Sequence, residues 1–341
     1  MNTSASDNNS YNNVIELILK DDNSFQNFKQ LPDYNIVLEH VSNSLGQDYL
    51  DIIKKNNPFL LNNINEFKVN DLYGNPRTFK YDEIDMISPS TLRYIKVLSD
   101  LIKMKIDLTD KNIIEIGGGY GGQCLILSKY FNFKSYTIVD LNGPLRLSEK
   151  YLNLYGIKNV LFKEMNDLDN ASTYDFMVSN YAFSECNKEV QNIYYDKIIK
   201  NSTAGYMTSN KNDIFVPIER FNIVDEDPIS GLNNVILTWD MKTTLLKYII
   251  EQFGSNTPKE HRQSHYSYCL FPEEECSCKD LNEITYNTSL ISGGYIDSFS
   301  MLVVLIFIEK TFNIKVPDID ARPHNFDTIN NMVELINKIK K

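Results

Sequence analysis

Apolar residues recur along the first part of the chain at helical spacing: Val14, Ile15, Leu17 and Ile18, then Ile36, Val37 and Val41, then Tyr49, Leu50, Ile52 and Ile53. This predicts a helical N-terminal region. Pro58 and Pro76 interrupt it, and Asp71-Leu72-Tyr73-Gly74-Asn75-Pro76 predicts a turn. Ser88-Pro89-Ser90-Thr91 is a helix-start signal, and Leu92, Tyr94, Ile95, Val97, Leu98, Leu101 and Ile102 form the stripe behind it. From Ile113 the pattern changes to short apolar runs. Ile113 to Ile116, Tyr136 to Val139, Asn159 to Phe162, Asp175 to Ser179, Ala204 to Ser209, Phe221 to Val224 and Val235 to Trp239 are predicted strands. Gln123 to Tyr130, Pro144 to Tyr155 and Lys188 to Ile199 between them carry helical spacing. Such alternation predicts an α/β fold with a mostly parallel sheet covered on both faces.

After Glu273-Glu274-Glu275 and Cys276-Ser277-Cys278 the composition shifts, which predicts a boundary near 275–280. Beyond it come an apolar helix, Met301 to Phe312, and a last helix with Ile329, Met332, Val333, Leu335, Ile336 and Ile339 in register behind Asp327-Thr328. Three regions are therefore expected: 1–80 helical, 81–275 α/β, and 279–341 all-helical. Residues 1–12, rich in Asn and Ser, are expected to be disordered.

At 341 residues the chain has room for two domains, and 42% hydrophobic and 23% charged residues are ordinary for a globular protein. A net charge of -11 argues against a nucleic-acid or anionic-membrane partner, which clustered Lys and Arg would serve. The polar start, Met1 to Asn12, lacks signal-peptide features, and Met301 to Ile308 is too short to span a bilayer; a cytoplasmic location is expected. Of five cysteines, Cys124, Cys186 and Cys269 are scattered, as reduced thiols are. Cys276 and Cys278 with His261 and His265 are candidate zinc ligands, against ordinary loop thiols as the alternative.

The richest chemistry lies in Ile113-Ile114-Glu115-Ile116-Gly117-Gly118-Gly119-Tyr120-Gly121-Gly122. A strand that stops on glycines before a helix leaves bare backbone N–H groups where a nucleotide-like ligand can approach. Gly117, Gly119 and Gly122 satisfy the G-x-G-x-x-G of dinucleotide folds; Glu115, Gly117, Gly119 and Gly121 satisfy the E-x-G-x-G-x-G of S-adenosylmethionine enzymes. Asp140 closes the second strand and is placed for ribose hydroxyls under either reading. Glu115 favours S-adenosylmethionine, because a carboxylate repels a pyrophosphate and tolerates a cationic sulfonium. The fourth strand runs into Ser179-Asn180-Tyr181-Ala182-Phe183-Ser184-Glu185, polar residues at the edge where open α/β sheets bind ligands.

These residues, with Val139-Asp140-Leu141, the stretch from Asp225-Glu226-Asp227-Pro228 to Asn233, and Trp239, resemble the sugar O-methyltransferase family of Rossmann-like class I methyltransferases over roughly residues 80 to 270. The resemblance implies S-adenosylmethionine held by Glu115, Gly117, Gly118, Gly119, Gly121, Asp140, Leu141, Asn180 and Tyr181, and a sugar or glycan precursor as acceptor. The acceptor hydroxyl needs a base, and His265 and Glu185 are the candidates. Asp225, Glu226 and Asp227 are a candidate acidic metal cluster, and Arg93 and Tyr94 are placed to close over the cofactor.

The tail resembles the later part of an acyl carrier protein. Asp297-Ser298-Phe299 matches that family's Asp-Ser-Leu, which implies phosphopantetheine on Ser298 as a further cofactor and partner enzymes that read a carrier. Two departures stand out: the carrier's first helix is missing after the boundary, with Leu245 to Phe253 as a stand-in, and residues 279–341 balance eight acidic against seven basic side chains. Beside sugar methylation stand methylation of a carrier-tethered acyl group, a non-catalytic scaffold with a docking tail, and a nicotinamide dehydrogenase.

Overall fold

The computed structural model describes residues 9–218, 221–254, 281–312 and 314–340. It divides into two compact units, one ending at Thr238 and one beginning at Trp239.

In the first unit a short hairpin pairs β1 (Phe79–Tyr81) with β2 (Asp85–Ile87). The main sheet comprises β3 (Asn112–Ile116), β4 (Ser135–Val139), β5 (Val160–Lys163), β6 (Tyr174–Asn180), β7 (Ser202–Asn210), β8 (Asn222–Asp225) and β9 (Asn234–Trp239). Its order is β5-β4-β3-β6-β7-β9-β8. Strands β3 to β7 pair in parallel, whereas β8 and β9 are antiparallel. This is a Rossmann-like α/β sheet closed by a reversed strand pair. The central parallel strands are buried on both faces, with Ile113, Ile114, Tyr136, Ile138, Met177 and Val178 solvent-free, which is why they read as continuous apolar runs.

Register places the site. Ile116 lies opposite Val139 on β4 and Ser179 on β6. The next residues along these strands, Gly117, Asp140 and Asn180, therefore emerge together at the carboxyl edge, where the strand order turns from β4 to β6.

The N-terminal region joins the same core. Ile15, Ile18, Phe28, Tyr34, Leu50 and Ile53 are solvent-free and cluster with Leu92, Leu98, Leu125 and Tyr151. The Pro89–Lys103 helix begins at Ser88, whose hydroxyl accepts from the Thr91 amide at 3.1 Å, and it packs against the Asn43–Asn56 helix. The expected disorder through residue 12 is corrected for residues 9–12: the first helix spans Asn9–Lys20, and Tyr11 is buried, because that ring packs against Tyr34.

The second unit has its own core. Leu245 and Ile249 of the Met241–Phe253 helix, Val304, Ile308 and Phe312 of the Ser300–Phe312 helix, and Met332 and Ile336 of the Ile329–Ile339 helix form one cluster. Tyr248 stacks on Phe307 with centroids 3.6 Å apart. A short Pro323–Phe326 turn of helix completes the set. The division thus falls at 238/239 and not near 275–280: periodicity marks the Met241–Phe253 helix as amphipathic, but its apolar face belongs to the tail's core. Among the described residues no helix is long and apolar enough to cross a membrane.

Candidate functional site

Every feature of the glycine turn follows from the backbone path between β3 and the Gly122–Ser128 helix. Gly117, Gly119 and Gly121 have φ of +74°, +57° and +90°, where L side chains are strained. A Cβ on Gly117 would lie 2.0 Å from Ala182 Cβ, and one on Gly119 would lie 2.9 Å from Leu38 Cδ1.

Asp140 is tied to this turn. Its Oδ2 accepts from the Gly119 amide at 2.9 Å and its Oδ1 from the Leu141 amide at 2.8 Å. Burial pushes its pKa up to about 6, against the two amides that lower it, and Glu185 adds to the rise. Leu141, at the start of the Asn142–Leu154 helix, keeps an exposed apolar side chain beside that carboxylate.

Glu115 lies in β3, two residues before Gly117. Its side chain lies beneath the turn, 2% exposed, with Oε2 accepting from the Tyr136 hydroxyl at 2.9 Å. A Cβ on Gly118 would meet that same oxygen at 3.3 Å. Burial pushes the pKa up to about 8, against the Tyr136 hydrogen bond that lowers it.

At the end of β6, Asn180 Nδ2 donates to Gln123 Oε1 at 3.1 Å, while Asn180 Oδ1 is buried with no donor among the described residues. Tyr181 follows with φ +65°, a strained conformation that turns the chain into Ala182–Glu185. Its hydroxyl donates to Glu226, whose other oxygen accepts from the Ser230 amide at 2.9 Å and hydroxyl at 2.6 Å. Glu226 is thereby satisfied by protein donors, and no group of three potential ligands forms a metal site among the described residues.

Beside these residues opens a cavity of about 800 Å³. Gly117, Asn180, Tyr181, Ser184 and Glu185 form its sheet side; Asn210, Asp213, Ser230 and Asn234 come from β7 and beyond. Val37, Leu38, His40, Val41, Leu45 and Tyr49 supply a wall from the N-terminal region, with Arg93 from the helix that follows. Tyr11 is close enough to Asp140 and Glu185 that, after burial, their charges raise its phenol pKa further. This wall carries no sequence motif, so His40 and Tyr49 were not among the expected residues. Burial, and after it the Arg93 charge, hold the His40 pKa below the usual imidazole value, against the Ile36 backbone, which raises it.

Of the expected site residues, Gly117, Gly118, Gly119, Gly121, Asp140, Leu141, Asn180, Tyr181 and Glu185 gather at one edge of the sheet. His265, with His261, Cys276 and Cys278, lies outside the described residues. Cys124 is buried, and the Cys186 thiol donates to the Ala182 carbonyl at 3.3 Å. Ser298, in the second unit, is exposed just before the Ser300–Phe312 helix, and Asp297 Oδ1 accepts from the Ser300 amide at 2.7 Å.

No protein-family model and no curated protein matches the sequence. Solved structures similar to part of it include an S-adenosylmethionine-dependent methyltransferase from Aquifex aeolicus, 16% identical over 42% of this chain and 87% of that one, with a TM-score of 0.32. The magnesium protoporphyrin IX methyltransferase of Synechocystis is 13% identical over 43% of this chain and 76% of its own, with a TM-score of 0.35. A candidate sarcosine dimethylglycine methyltransferase from Galdieria sulphuraria is 20% identical over 35% of this chain, with a TM-score of 0.31; the match spans 48% of that protein, under half its length. Overlaps this partial leave strand order and register as the ground for the fold.

Proposed function

We propose that the chain is an S-adenosylmethionine-dependent O-methyltransferase acting on a hydroxyl of a sugar or glycan precursor. The observation that carries this reading is the hydrogen bond from the Gly119 amide to Asp140, in the turn whose Gly117 lines a cavity of about 800 Å³. It joins the glycine turn to the one acid positioned for a ribose. The reversed β8–β9 pair also favours it over a nicotinamide dehydrogenase, whose six-stranded dinucleotide fold has the order 3-2-1-4-5-6.

The residues present fit such a cofactor. Asp140 retains lone pairs for ribose hydroxyls, Leu141 offers an apolar face for a base, and the unpartnered Asn180 Oδ1 suits an ammonium donor. Gly117, Gly118 and Gly119 have no room for a Cβ, which would meet Ala182, Ile138 and Leu38, so the turn can be closed only by glycines. When bound, S-adenosylmethionine would supply an electrophilic methyl carbon on a sulfonium and leave as S-adenosylhomocysteine. The protein's work is then to hold the acceptor oxygen in line and to take its proton. Asn180, Asn210, Ser230 and Asn234 line the cavity as hydrogen-bonding groups suited to a polyhydroxylated acceptor. Glu185 and His40 are the bases chosen from that cavity, whose lining also holds Asp213.

A second reading shares the chemistry and changes the acceptor. Ser298 is exposed at the head of a 13-residue helix in a helical unit that includes Met241–Phe253, the helix a carrier needs first. Phosphopantetheine on Ser298 would carry a tethered acyl acceptor, and the exposed Phe299, Leu302, Val303 and Ile306 would meet its partner enzymes. Enzymatic transfer of phosphopantetheine from coenzyme A to wild type but not to Ser298→Ala supports this reading; an unmodified wild type sinks it. For the leading reading, S-adenosylhomocysteine release is measured with sugar acceptors at saturation. Glu185→Gln or His40→Gln should lower kcat about 10²- to 10⁴-fold with cofactor affinity kept. Full turnover in both variants would remove these residues as bases.

A further inference from the structure

Arg93 is a cation in the cavity wall that makes no direct ion pair among the described residues, the buried Glu39 carboxylate acting on it only from beyond contact distance. Among the described residues no Asp or Glu lies within ion-pair distance of it. By contrast Lys96, three residues along the same helix, pairs with Asp100 at 2.7 Å. The guanidinium donates from Nη2 to the Leu38 carbonyl at 3.4 Å, interacts with the Tyr94 hydroxyl, and has its carbon 5.4 Å from the Tyr94 ring centroid, all neutral partners. Nε is buried with no acceptor. A guanidinium has five donors in a planar fork, and burying it unpaired is costly once water leaves the cavity.

From this we infer that the acceptor carries a carboxylate or phosphate, and that Arg93 binds it. The inference rests on the methyltransferase reading and narrows its substrate class to acidic sugars or sugar phosphates. The fork matches either group bidentately, which a neutral sugar cannot exploit. The anion would supply the direct ion pair that Arg93 does not make, while Asn210, Ser230 and Asn234 remain for hydroxyls. Expulsion of water by a neutral acceptor would leave the cation unsolvated, so the same residue selects against such acceptors.

The test uses the full-length protein saturated with S-adenosylhomocysteine and calorimetric titration with D-glucuronate, D-glucose 6-phosphate and D-glucose. At least one charged sugar should bind about ten- to hundredfold tighter than glucose, as charge-assisted hydrogen bonds allow. Which one does so separates carboxylate from phosphate. In Arg93→Gln the preference should collapse to about onefold, and in Arg93→Lys it should be partly kept. If Arg93→Gln does not fold, Arg93→Lys decides, and an unchanged ratio there overturns the inference. Equal binding of the three sugars by wild type, or binding of none, also overturns it. Cofactor titration is read separately: failure to bind S-adenosylhomocysteine counts against the methyltransferase reading, while the sugar ratio still decides the anion site.

Discussion

The Gly119 amide donates to Asp140 Oδ2 at 2.9 Å, so the acid ending β4 holds the turn that follows β3. One carboxylate therefore serves both the turn and the place where a ribose would lie. Because the pKa is pushed up to about 6, the charge needed for that task is lost near mildly acidic pH. S-adenosylhomocysteine affinity should fall by up to about tenfold per pH unit below 6, and Asp140→Asn should be weak and nearly pH-independent. Titrations at several pH values check this. A flat wild-type profile between pH 5 and 7 would contradict it.

Gly117→Ala combines a φ of +74° with a Cβ 2.0 Å from Ala182 Cβ. The strain should cost roughly 1–3 kcal/mol of stability and weaken S-adenosylhomocysteine binding more than tenfold. Thermal unfolding and calorimetry would report both, and near-normal values would mean that the turn yields freely.

Glu115 gives a pH signature in stability. The folded state keeps a proton up to about pH 8 that the unfolded chain releases near its ordinary value of 4.5. Between those values folding binds a proton, so stability falls as pH rises, by at most about 1.4 kcal/mol per unit. Glu115→Gln should retain the Tyr136 hydrogen bond, flatten this contribution and raise Tm at pH 8. A lower Tm there, with the slope unchanged, would show that Glu115 is ionised in the fold.

Leu245 is solvent-free in the second core, although it lies far before the composition shift. Leu245→Ala should destabilise that unit by about 2–5 kcal/mol. A fragment beginning at Trp239 should unfold cooperatively by circular dichroism, whereas one beginning at Lys279 should not. Cooperative unfolding of the shorter fragment would restore the later boundary.

These contrasts mark how far the sequence is readable. Strands β3, β4 and β6 are legible because parallel strands buried on both faces are nearly all apolar, whereas the partly exposed β5 and the antiparallel β8 and β9 show only as short runs. The glycine turn is legible because positive φ restricts residue type at Gly117, Gly119 and Gly121. The β1–β2 hairpin escaped because three-residue strands carry too little pattern. Leu38 against Gly119, or His40 and Arg93 in one cavity, are long-range contacts without a local signal. Helical periodicity in Met241–Phe253 reports an apolar face but not which core receives it. The charge state of Glu115 is likewise a product of burial that residue type alone does not disclose.

The most direct measurement of the central claim is calorimetric titration of the full-length protein with S-adenosylhomocysteine and, separately, with NAD. The account predicts saturable one-site binding of S-adenosylhomocysteine at micromolar or tighter affinity, lost in Asp140→Ala, and no heat from NAD. Binding of NAD with none of S-adenosylhomocysteine, or no binding of either, would contradict it.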